Sequence, residues 1–181
     1  MSINANYEPI NSSKFTPPFK TTFCENDGSY DTFLKVLGVQ DREIIEFGQG
    51  KKGISKNSEL LYSTSFAMCT GLILHNNQTN QAALFHLHYG GYSPGFNRMI
   101  EEFILDPSNK DTSTITAQFL KGNKCYEVYD YTDTIKELGF KLNPDIVFDQ
   151  KEAHWAVIYN PKEKTAYVYP RNVEKILEYK I

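Results

Sequence analysis

The sequence predicts an α+β fold: a central, largely antiparallel β-sandwich or sheet flanked by helices. Three observations carry that reading. Apolar runs bracket short polar turns at HNNQTN (75–80) and at NPKEK (160–164), as hairpins do. Two later segments repeat their apolar residues with helical period. Helices and strands follow one another without any internal repeat, which suits mixed layers better than a solenoid.

Residues 1–20, rich in Asn, Ser and Pro and ending in Pro17-Pro18, lack either period and read as an extended N-terminal arm. Residues 21–181 are then one domain. Tyr30, Phe33, Leu34 and Leu37 follow the i, i+3, i+4, i+7 rule and stop at Gly38, predicting a short helix. GQGKKGISKN (48–57) reads as a mobile surface loop, and it lacks the order GxxxxGK followed by Ser or Thr of a phosphate loop.

The most apolar stretch, Leu60 to Leu74, and AALFHLHYGG (82–91) read as the two arms of a hairpin. Ser93-Pro94 is the capping start of a helix whose buried stripe is Phe96, Met99, Ile100, Phe103 and Ile104. STITAQFLKG (113–122) alternates as a half-buried strand, Thr132 to Leu138 is a helix ended by Gly139, and HWAVIYNPKEKTAYVYP (154–170) is a second hairpin.

The 181 residues, 40% of them hydrophobic, suffice for one core. A net charge of −3 with scattered Lys and Arg provides no field for a phosphate backbone, which argues against a nucleic-acid partner. No run approaches the roughly 18 apolar residues of a membrane span, and the N-terminus lacks the pattern of a secretory signal. The expected compartment is a reducing cytosol, with export by a route without a Sec-type signal left open. Three cysteines, Cys24, Cys69 and Cys125, at wide spacing spell neither a disulfide framework nor a zinc knuckle.

Cys69 follows a strand-like run in STSFAMCTG, beside a small-residue bend at Thr70-Gly71 where backbone N–H groups are able to meet an oxyanion. His86 lies on the return arm of the hairpin. Such pairing brings a thiol and an imidazole side by side, as an activated cysteine nucleophile requires. A cysteine in an apolar strand is otherwise simply a small buried hydrophobe.

This Cys–His hairpin resembles that of the chemoreceptor glutamine deamidases (the CheD family), and also the arrangement in cytotoxic necrotizing factors and Burkholderia lethal-factor type toxins. The order of elements from about Leu60 to Tyr169 resembles CheD as well. The resemblance implies a cysteine-dependent protein glutamine deamidase that needs no metal or organic cofactor, with a glutamine-bearing protein as substrate, located either in the bacterial cytoplasm or, as an effector or toxin secreted without a Sec-type signal, in a host cell. It places Cys69 on the nucleophile, His86 on the base, and Ser63 on the family's orienting Thr. Here Ala67-Met68 replaces the family's Gly beside the cysteine, and Met68 narrows the oxyanion pocket. Thr64 and Ser65 are alternative orienting hydroxyls, and His88, on the same face as His86 by alternation, is the alternative base.

Two other readings compete. A papain-like hydrolase would use Cys24 and His154, although Cys24 precedes its helix by several residues. A non-catalytic binding module would use the 12 Tyr and 12 Phe as contact surface. His75 and the His86/His88 pair lack a third ligand at zinc spacing.

Overall fold

The computed structural model describes residues 44–56, 59–88, 95–123, 125, 129–149, 154–170 and 176–181. The expected arm, the helix at Tyr30, Cys24 and the Ser93-Pro94 cap lie outside them.

Eleven strands form two sheets among these residues. The first sheet has the order β1 (Ile44–Phe47), β3 (Leu60–Phe66), β9 (Trp155–Asn160), β10 (Thr165–Pro170), β11 (Leu177–Lys180). The second runs β2 (Lys52–Ser55), β5 (Ala82–Leu87), β4 (Thr70–Asn76), β6 (Ile115–Gly122), β7 (Lys141–Leu142), with β8 (Ile146–Phe148) also on β6. Only β1–β3, β6–β7 and β6–β8 pair in parallel; the other ladders are antiparallel, and the fold is α+β.

Alternation assigns each sheet residue to a layer. Leu61, Phe66, Val157, Tyr159, Ala166 and Val168 of the first sheet share a core with Ile73, Ala82, Leu84 and Leu120 of the second, so the two sheets face each other. The opposite face of the second sheet, with Leu72, Leu74, Phe85, Leu87, Ala117 and Phe119, is covered by two helices. These are α1 (Phe96–Ile104), through Phe96, Met99, Ile100 and Phe103, and α2 (Tyr129–Glu137), through Tyr131 and Ile135. Because both faces of the second sheet are covered, β6 is buried at every position but Lys121, including Thr116 and Gln118, and is not the half-buried strand its alternation predicts.

Helix α1 follows the predicted stripe, with Ile104 only partly buried, but Gly95 occupies its N-cap without a side-chain bond. Helix α2 ends before Gly139, whose φ of +76° suits the left-handed position that closes a helix. No helix among the described residues is long and apolar enough to cross a membrane.

The apolar run from Leu60 to Leu74 is not one hairpin arm. It breaks at Ala67–Cys69, where the chain leaves the first sheet (β3) for the second (β4). The bend thus precedes Cys69, and Thr70-Gly71 already belong to β4. A similar passage from β1 to β2 runs through a tight turn, Gly48–Lys51, closed by a bond from Lys51 N to Gly48 O. The sequence reading of 48–57 as a mobile loop is therefore corrected: its middle is strand β2, paired with β5 from Lys52↔Phe85 to Ser55↔Ala82. Since β1 and β3 are parallel, both crossings occur at the same end of the sandwich, where β5 also finishes.

Candidate functional site

That shared end gathers Gln49 from the first crossing, Cys69 from the second, His86 and His88 from the end of β5, and Cys125 beyond β6. Topology alone brings them together, because two crossings in the same direction flank the strand that carries the histidines.

His86 faces the core between the sheets and is fully buried. Its Nδ1 lies 3.1 Å from Ser63 Oγ. Ser63 spends its own hydroxyl proton on the carbonyl oxygen of Phe47, its ladder partner, at 2.9 Å. Towards His86 the hydroxyl therefore offers lone pairs, so Nδ1 carries the imidazole proton and Nε2 is bare. Nε2 is buried and has no hydrogen-bond partner. Burial first, and then the neighbouring His88, push the imidazole from its ordinary 6.5 down to about 3, so it is neutral at physiological pH.

A wall of aromatic rings sets the imidazole's plane. Phe66 stacks on it with centroids 3.6 Å apart, and Trp155 stacks on Phe66 at 4.0 Å. Two sequence features allow this. Between Ser63↔Val157 and Phe66↔Trp155, β3 carries one residue more than β9, and Ser65 at this bulge has φ of +61°. The extra residue turns Phe66 inward instead of outward. Across the ladder from His86 stands Gly71, where an added Cβ would meet Trp155, Leu120 and Phe66 at 3.4 to 3.7 Å. Of the candidate orienting hydroxyls, Ser63 meets the imidazole, whereas Ser65 is exposed at the bulge.

Cys69 is 1% exposed and forms no disulfide. The ladder register sets Gly71 opposite His86 and Thr70 opposite Leu87, which makes Cys69 a diagonal neighbour of His86. Such diagonal positions have Cβ atoms roughly 7 Å apart, a separation that aromatic and long side chains span. Because Nε2 is unpartnered, the thiol and the imidazole are not hydrogen-bonded in this arrangement.

The thiol is instead in contact with a residue that the sequence reading passed over. Gln49 Nε2 donates to Cys69 Sγ at 3.3 Å and lies 3.1 Å from His88 Nδ1. His88, exposed just past the end of β5, is thus linked to Cys69 through an amide, while His86 lies below in the core. A Gln–Gly pair in a Lys-rich loop carried no pattern to mark it. The one signal was the local glycine density, which also suits a tight turn.

Cys125 donates its thiol proton to the carbonyl oxygen of Cys69 at 3.0 Å, and burial pushes its pKa up to about 11. His154 stands half-buried just before β9, and its neighbour Trp155 fills the inter-sheet core. Its proposed partner Cys24 lies outside the described residues. His75, at the far end of β4, is buried with Nδ1 2.9 Å from Tyr159 Oη, and burial with Lys164 nearby lowers its pKa to about 4.

No family model matches the chain, and no curated protein matches it.

Proposed function

We propose that this protein is a cysteine-dependent glutamine deamidase, with Cys69 as nucleophile, His86 as base and Ser63 as the residue that orients the base. The observation that carries the reading is the Ser63–His86 bond, which holds a neutral imidazole with its Nε2 lone pair unspent in the core beside Cys69. A buried acceptor without a partner costs about 1–3 kcal/mol. A proton-accepting role at the neighbouring thiol accounts for keeping it.

The chemistry is acyl transfer. His86 Nε2 takes the Cys69 proton as the sulfur approaches the side-chain carbonyl carbon of a substrate glutamine. The imidazolium then protonates the departing ammonia, and the neutral imidazole activates the water that opens the thioester, leaving glutamate. Rotation of Cys69 toward Nε2 and displacement of Gln49 from Sγ precede the first step, and the negative charge growing on the sulfur beside Nε2 raises the imidazole's pKa from its resting value of about 3. None of these steps calls for a metal or an organic cofactor. The substrate is a protein that presents a glutamine side chain.

Alkylation of each thiol by limiting iodoacetamide between about pH 5 and pH 9, followed by peptide mass mapping, tests the reading without a known substrate. The expected result is a Cys69 profile with an apparent pKa below the free value of about 8.5, raised by His86→Ala. An unactivated Cys69, with Cys24 reacting in a manner dependent on His154, would replace this reading with the papain-like one.

A further inference from the structure

We propose that Gln49 is a self-modification site: resting on the deamidase reading above, Cys69 converts the chain's own Gln49 to glutamate with release of ammonia. The amide of Gln49 already occupies the place a substrate amide must reach. Its nitrogen, the atom that has to leave, touches Cys69 Sγ at 3.3 Å and lies 3.1 Å from His88 Nδ1. Rotation about the Cα–Cβ and Cβ–Cγ bonds of Gln49 moves the amide carbon, which is bonded to that nitrogen, toward the sulfur.

The position of Gln49 is built into the backbone. Gly50 N donates to His86 O at 2.9 Å, and His86 N donates to Lys51 O at 3.1 Å, so the turn is fastened to the strand that carries both histidines. Gly50 itself has φ of +69°, and a Cβ there would lie 2.7 Å from His88 Nε2. Only glycine lets His88 lie against the turn and reach the amide. The exposed Gln49 covers a thiol that is itself almost fully buried, so an incoming glutamine has to replace it.

The balance is simple. Sγ bonds to the amide carbon as the thiol proton passes to an imidazole. The carbon–nitrogen bond breaks and ammonia leaves with that proton, giving a thioester between residues 49 and 69. Water then cleaves the thioester, returning the thiol and leaving a carboxylic acid at position 49. The net reaction consumes one water and releases one ammonia. The product carboxylate beside Cys69 opposes thiolate formation, so the modification slows the site that made it.

The test is peptide mass mapping of residue 49 in the full chain during incubation in heavy-oxygen water. It compares the wild type, Cys69→Ala with its fold checked by thermal melting, and wild type pre-alkylated at Cys69. The expected result is conversion of Gln49 to Glu, with one heavy oxygen incorporated, in the wild type alone. Equal conversion in all three samples would assign it to spontaneous chemistry of the Gln–Gly pair and overturn the proposal, as would an unchanged Gln49 in the wild type. The thiol profile separates the two levels: an activated Cys69 with an intact Gln49 sinks only the self-modification, whereas an unactivated Cys69 sinks the deamidase reading itself.

Discussion

Phe66 lies face-on against the imidazole of His86, with planes within 10° of parallel, and its other face carries Trp155. The ring therefore keeps water from the imidazole and fixes its orientation, linking the core between the sheets to the candidate base. Phe66→Ala should cost about 3–5 kcal/mol through the cavity it leaves, read by urea denaturation. Phe66→Leu should cost less and move the His86 pKa upward as water gains access, read by NMR titration of the imidazole. An unchanged His86 titration in Phe66→Leu would show that the ring contributes packing alone.

Ser63 accepts from His86 while donating to Phe47. Ser63→Ala strands the Nδ1 proton in the core and frees the ring to adopt its other tautomer. The expected outcome is a loss of about 1–3 kcal/mol in stability and slower alkylation of Cys69. Ser63→Thr keeps the hydroxyl and should restore the Cys69 profile. Equal alkylation profiles for Ser63→Ala and the wild type would remove Ser63 from its orienting role.

Two buried imidazoles set an acid limit on stability. The folded pKa values of His75 and His86, about 4 and about 3, lie below the ordinary 6.5 of the unfolded chain. The unfolded state therefore binds more protons as pH falls below 6.5. Stability that is complete above that value is lost progressively toward pH 4 and then pH 3. Each imidazole contributes a slope of about 1.4 kcal/mol per pH unit inside its window. Urea midpoints measured from pH 7 downward should show this fall, and His75→Gln should remove about half of the slope that the two histidines supply. A midpoint that stays flat from neutral pH to pH 4 would contradict the buried neutral state of both.

Gly50→Ala places a methyl group against His88 on a backbone with positive φ. The expected cost is about 1 kcal/mol or more, together with displacement of His88 from Gln49 and faster alkylation of Cys69 as its cover loosens. Thermal melting and thiol mapping on one sample read both effects. Slower alkylation of Cys69 would mean that the turn activates the thiol instead of shielding it.

Cys125 should remain a thiol throughout the neutral range, because burial raises its pKa to about 11. Its alkylation below pH 9 should be slower than that of free cysteine, for which the pKa is about 8.5. A fast reaction at neutral pH would show that the bond from Cys125 to the Cys69 carbonyl opens readily.

The sequence by itself determined the elements whose partners lie nearby in the chain. The Asn-rich turn after His75 and the Asn160-Pro161 turn each join two strands into a local hairpin, and the stripe from Phe96 to Phe103 shows one face of a helix to the core. It also placed Cys69 and the two histidines near one another, since β4 and β5 are consecutive. Only the tertiary structure decided which sheet each strand joins. Period-two alternation assigns a residue to a face but carries no record of the partner across the core, so the run from Leu60 to Leu74 hides a crossing between sheets. The bulge at Ser65 that turns Phe66 inward, the meeting of Ser63 with His86, and the arrival of Gln49 at Cys69 all depend on that crossing and its parallel counterpart at Gly48–Lys51. These contacts join residues distant in the chain. Their register is settled by packing the two sheets against each other, and no local propensity encodes it.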